Sequence, residues 1–190
     1  MIAKRRTEGA AAVHRASEGA IPVTARKPVL DGRPRKSAQL YPGQIVSARE
    51  PTVVTTILGS CVAVCLWDPF KCIGGVNHFM LPDAVGSAGH SPRFGSVACA
   101  KLVEQLVALG SDPRVLKAKI FGGACVVASL DAAGTHLGLK NAAMARSFLD
   151  RHKIPVVAEE TGGTKGRRLV FVTDSGTAWV QEILRVTDGA

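Results

Sequence analysis

Between residues 53 and 81 apolar positions come in three dense runs separated by short polar or glycine-bearing breaks. Val53 to Leu58 (VVTTIL) is rich in β-branched side chains and stops at Gly59-Ser60. Cys61 to Trp67 (CVAVCLW) is apolar throughout, as a strand buried on both faces must be, and stops at Asp68-Pro69. Cys72 to Leu81 (CIGGVNHFML) leads to Pro82. The pattern predicts three successive strands, the last two paired as a hairpin around Asp68 to Lys71. A Gly/Ser/Pro-rich loop follows, Ala84 to Ser96, long enough to cover a site as a lid. His90 within it reads as a solvated loop residue.

After the loop the period becomes helical. SVACAKLVEQLVALG places Val97, Ala100, Val103, Leu106 and Val107 on one stripe, and Gly110 ends the helix. VLKAKIFGGA predicts a strand entering Gly122-Gly123. NAAMARSFLDRH predicts a second helix capped by Asn141, with Ala145, Phe148 and Leu149 inward. IPVVAEE, RRLVFVT and TAWVQEIL predict three more strands, separated by TGGTKG and DSG turns. Strands, helix, strand, helix, strands is an α+β order: sheet layers with two helices packed against them.

Charge changes the picture at the N-terminus. The formal net charge is +9, but residues 1–40 hold nine of the 24 basic and three of the 15 acidic residues, leaving only +3 for the remainder. Residues 1–40 are rich in Ala, Gly, Pro and Arg and lack sustained periodicity, so a basic, disordered extension is expected there, with one domain over 41–190. The KRR start is followed by polar residues rather than an apolar stretch, and no run approaches membrane-spanning length. Neither secretion nor membrane insertion is expected. The near-balanced body argues against specific nucleic-acid binding. An odd count of five cysteines without a secretion signal fits a reducing cytoplasm and free thiols.

Cys61 is set apart by its position after a tight Gly-Ser pair, with His78 on the next predicted strand. A thiolate is the reactive form of cysteine, and an adjacent imidazole can generate it and later act as acid. N–H groups near Gly59 and Ser60 could hold a developing oxyanion. A zinc reading competes, since Cys61, Cys65, Cys72 and His78 have the right ligand types. An extended run, however, separates Cys61 from Cys65 by about 13 Å, too far for one ion. Cys65, Cys99 and Cys125 read as small buried hydrophobes.

TTILGSCVAVCLWD followed by GGVNHFMLPD resembles the CheD family of chemotaxis proteins, the chemoreceptor glutamine deamidases. The resemblance continues through KIFGGA, LGLKN and TGGTKGRRLVF, so it covers residues 41 to the C-terminus. It implies an α/β sandwich related to cysteine-dependent deamidating toxin domains. It also implies hydrolysis of glutamine side chains on methyl-accepting chemotaxis receptors by a Cys, His and Thr triad, without metal or organic cofactor. Matched position by position, the nucleophile falls on Cys61, the base on His78 and the third member on Thr55, with Thr56 adjoining. The implied setting is the cytoplasm, at the receptors' cytoplasmic domains. The implied partners are those receptors and, in many organisms, a CheC-type phosphatase. A retained fold serving as a receptor adaptor, and a methylesterase activity through the same thioester, are the alternatives.

Overall fold

The computed structural model describes residues 23–24, 32–83, 90–126 and 137–183. Among the described residues, two five-stranded sheets stack face to face, and two helices cover the far side of one of them. The first sheet has the order β1 (Val23–Thr24), β10 (Ala178–Glu182), β9 (Arg167–Val172), β4 (Thr52–Leu58), β2 (Lys36–Gln39). The second has the order β3 (Ile45–Ala48), β6 (Ile73–Phe79), β5 (Val62–Asp68), β7 (Lys117–Gly122), β8 (Val156–Thr161). Helices α1 (Gly95–Ala108) and α2 (Leu137–Arg151) pack on the second sheet. The α+β order and the layered-sheet expectation hold. Among the described residues, no helix is long and apolar enough to cross a membrane.

β5 is central, and its side chains divide between the two interiors. Val62, Val64 and Leu66 join the helices, whereas Ala63, Cys65 and Trp67 join the inter-sheet core with Val54, Leu58, Phe121, Leu169 and Phe171. That two-sided burial is why the CVAVCLW run has no polar phase.

Three expectations need correction. The ordered body begins before Tyr41: Lys36–Gln39 pairs in parallel with β4, and Leu40 is 1% exposed. Residues 36–40 are therefore not a disordered extension, and Val23–Thr24 pairs with β10. The rest of residues 1–31 lies outside the described residues, as do residues 84–89 of the suspected lid. The inward stripe of α1 is Ala98, Cys99, Leu102 and Leu106, while Val107 is 43% exposed and Val103 only partly buried. Finally, Asn141 does not cap α2. It lies inside the helix and is fully buried, while Ala145, Phe148 and Leu149 face the core as expected.

Candidate active site

Pairing of β5 with β6 sets Ala63 opposite His78. Side chains two apart on a strand share a face, so Cys61, just before β5, lies on the same face as Ala63 and hence as His78. Cys61 packs against the inter-sheet core, which places both residues between the sheets as diagonal neighbours. The hairpin thus brings together the two residues singled out from the sequence.

The first sheet supplies a hydrogen-bond partner for the histidine. Alternate residues of β4, namely Thr52, Val54, Thr56 and Leu58, point inward and are buried. Thr56 Oγ1 lies 2.8 Å from His78 Nδ1 and donates its proton to the Leu40 carbonyl oxygen, also at 2.8 Å. Thr55 is in the opposite phase of the strand, directed to the outer face, and does not meet the histidine. The threonine that meets the histidine is therefore one position beyond the expected Thr55.

That geometry fixes a tautomer. A hydroxyl has one proton, and Thr56 commits it to Leu40, so toward the imidazole Thr56 can only accept. His78 must then carry its proton on Nδ1, leaving the lone pair on Nε2. Nε2 is buried and has no hydrogen-bond partner among the described residues. His78 is 1% exposed, and burial pushes its pKa down to about 4, so the ring is neutral at pH 7. Burial also raises the pKa of the Cys61 thiol, with its own backbone N–H opposing the effect. Both shifts favour a neutral thiol and a neutral imidazole over a preformed ion pair.

The turn carrying Cys61 is held by its carbonyls. Ala124 N–H donates to Gly59 O at 2.8 Å, Gly123 N–H to Cys61 O at 2.8 Å, and Asn141 Nδ2 to Ser60 O at 3.0 Å. No backbone acceptor among the described residues takes the N–H of Gly59, Ser60 or Cys61. The Gly-Gly corner is obligatory at Gly122, where φ is +107° and a Cβ would stand 2.3 Å from Cys61 O. Behind this corner, Gly162 N–H donates to Gly122 O and Cys125 N–H to Gly163 O, while Arg167 braces the Gly162 carbonyl at 2.8 Å. KIFGGA, LGLKN and TGGTKGRRLVF, far apart in sequence, thus converge on the turn that presents Cys61.

The other cysteines stand apart from this arrangement. Cys65 is buried opposite Lys119, its thiol driven upward in pKa by desolvation. Cys72 is exposed beyond the closed end of the hairpin, about 20 Å of strand away from Cys61. Among the described residues no three His, Cys, Asp or Glu side chains gather as metal ligands, so the four-ligand zinc grouping does not form. His90 is exposed in its loop. Sequence reasoning missed Leu40, hidden in an assumed tail, and Asn141, taken for a cap.

Fold and site define a class: a two-sheet sandwich with two helices packed on one sheet, presenting a cysteine and a histidine on one inter-sheet face. Residues 80–182 match the family described as CheD chemotactic sensory transduction. The chain belongs to the CheD family. It is 44% identical over 178 residues to "Probable chemoreceptor glutamine deamidase CheD 1" of Anaeromyxobacter dehalogenans, covering 94% of this chain and 99% of that one. It is 42% identical to "Probable chemoreceptor glutamine deamidase CheD" of Trichlorobacter lovleyi, covering 77% and 90%. The solved structure of hypothetical protein YfiH from Bacillus licheniformis overlaps 57% of this chain and 48% of that one, with a TM-score of 0.38 and 19% identity.

Proposed function

We propose that the chain deamidates glutamine side chains of chemoreceptors, converting them to glutamates, with Cys61 as nucleophile and His78 as base. The observation that carries the chemistry is the relay from the Leu40 carbonyl through Thr56 to His78, which leaves an unpartnered Nε2 lone pair on the face of Cys61. Kinship to proteins named chemoreceptor glutamine deamidase supplies the substrate class.

In the proposed reaction the thiol proton passes to His78 Nε2 as sulfur attacks the carboxamide carbon. A C–S bond forms and the carbonyl π pair moves to oxygen. N–H groups of the Gly59 to Cys61 turn, which no backbone acceptor among the described residues takes, face the developing oxyanion. When the tetrahedral species collapses, the C–N bond breaks and the imidazolium returns its proton to nitrogen, releasing ammonia and leaving a thioester on Cys61. Water, deprotonated by Nε2, attacks the thioester, and the departing sulfur recovers the proton. Glutamate and the free enzyme result. Thr56, rather than Thr55, keeps the imidazole in the Nδ1–H form throughout. The same acyl route would accept a methyl ester, with methanol as leaving group.

The setting proposed is the cytoplasmic face of the receptors, with a CheC-type phosphatase as a further partner. Ammonia release from a purified receptor cytoplasmic fragment tests the proposal. Wild-type protein should release it, and Cys61→Ala and His78→Ala should each lower the rate at least about 100-fold, within the range general base catalysis spans. An active Cys61→Ala protein would remove Cys61 as the nucleophile.

A further inference from the structure

Asn141 is a fully buried amide in the second turn of α2. Its Nδ2 group donates to two main-chain carbonyls, Ser60 O at 3.0 Å and Met80 O at 2.9 Å. These come from the two segments that carry the reacting pair: Ser60 precedes Cys61, and Met80 lies two residues beyond His78. The Oδ1 atom is buried without a partner among the described residues. The assignment of the two amide atoms is not interchangeable, because both facing groups are acceptors.

The helix approaches closely enough for this because Gly138, one turn earlier, has no side chain. A Cβ there would lie 2.3 Å from Gly123 O. An aspartate at 141 would set an acceptor against two carbonyls, and an aliphatic residue would leave both carbonyls without a partner. A side chain that offers two donors from one atom and tolerates an orphaned oxygen is serving the geometry of the turn, not its own solvation.

The consequence lies on the other side of the peptide. The Ser60–Cys61 bond is trans, so the Cys61 N–H points opposite to the Ser60 carbonyl. Asn141 holds that carbonyl from the helix layer, which aims the Cys61 N–H into the inter-sheet space where the Cys61 side chain and His78 lie. No backbone acceptor takes that N–H among the described residues. We infer that Asn141 is a positioning residue for the oxyanion site: it locks the Ser60–Cys61 peptide so that the Cys61 N–H is presented to the substrate carbonyl oxygen, and it couples that peptide to the end of the histidine strand. This rests on the thioester reading of Cys61 given above.

A reaction that needs the oxyanion and one that does not separate this role from general support. Deamidation of the receptor fragment passes through a tetrahedral oxyanion, whereas disulfide formation between Cys61 and methyl methanethiosulfonate does not. The expected result for Asn141→Asp, and for the smaller Asn141→Ser, is a kcat lowered about 30- to 1,000-fold, the scale of losing one oxyanion donor. KM should stay within about threefold. The rate of methanethiosulfonate labelling at Cys61, read by peptide mass and corrected for the other thiols, should also stay within about threefold, with an unchanged pH profile. Near-wild-type kcat in either folded variant overturns the inference, as does a parallel fall of labelling and deamidation. Loss of the fold in both variants would place Asn141 in the scaffold and overturn it too. Cys61→Ala runs alongside: ammonia release surviving in that protein is a separate failure, of the nucleophile itself.

Discussion

Thr56 has a single hydroxyl proton to give. Because that proton goes to Leu40, the tautomer of His78 follows, and with it the position of the ring's lone pair. Thr56→Val removes the acceptor and frees the ring to adopt the other tautomer; kcat for ammonia release should fall about 10- to 100-fold, the lower part of what general base catalysis contributes. Thr55→Val, on the outer face, should stay within about twofold, and the reverse ranking would return the role to Thr55. The buried imidazole also sets a pH dependence. With a pKa of about 4 in the folded protein, against an ordinary value of 6.5, the His78 ring stays neutral well below pH 7, as the proposed base must. The acid limb of kcat/KM should therefore lie near pH 4, and a limb near 6.5 would contradict the burial argument. Stability follows the same sign. Between pH 6.5 and 4 the unfolded chain binds the extra proton, so the contribution of His78, at most about 3 kcal/mol, is complete above 6.5 and lost as pH falls through 4.

At the scale of elements, the site depends on how tightly the Gly-Gly corner after β7 meets the turn before β5. Gly122→Ala forces a Cβ to within 2.3 Å of Cys61 O at a φ of +107°. A cost of about 1–3 kcal/mol is expected, which lowers the melting temperature by about 3–10 °C in a chain of this size. Deamidation should drop with it, because the displaced carbonyl belongs to Cys61, the proposed nucleophile. An unchanged melt would show that the corner is looser than described. The three strands and hairpin that frame Cys61 and His78 were legible from the runs themselves, since turn residues bounded each one. The phase of β4 was not. Val53, Thr55 and Ile57 on one side match Val54, Thr56 and Leu58 on the other almost residue for residue, so alternation could not choose between the threonines. The face of α1 was misread for a similar reason. The helix is apolar at most positions, and its tight packing selects small residues, Ala98 and Cys99, over the larger valines.

For the molecule as a whole, the boundary of the catalytic unit lies upstream of where composition placed it. KSAQ has no apolar pattern, because it is an edge strand that draws its order from pairing with β4 and not from burying its side chains. Removing residues 1–40 strips away β2 and the Leu40 carbonyl that orients Thr56. That truncation should melt earlier and lose at least about tenfold in kcat, whereas full activity would show that the relay is dispensable. The long-range convergence on Cys61 was only partly legible. Resemblance marked KIFGGA, LGLKN and TGGTKGRRLVF as belonging together, but only the fold reveals that the first two donate to the Cys61 turn and the third braces the Gly-Gly corner behind it. A local cap was the simplest reading of Asn141, and a helix that begins four residues earlier makes it a buried tether instead.

In the proposed reaction Cys61, activated by His78, hydrolyses receptor glutamine. Peptide mass mapping of a receptor cytoplasmic fragment after incubation with wild-type protein and with Cys61→Ala tests it most directly. A gain of about 1 Da at discrete glutamines, the mark of an amide converted by thioester hydrolysis, is expected in the wild-type reaction and none with the variant. Equal conversion in both reactions would contradict Cys61 as nucleophile, and no conversion in either, with a folded receptor fragment, would contradict the activity itself.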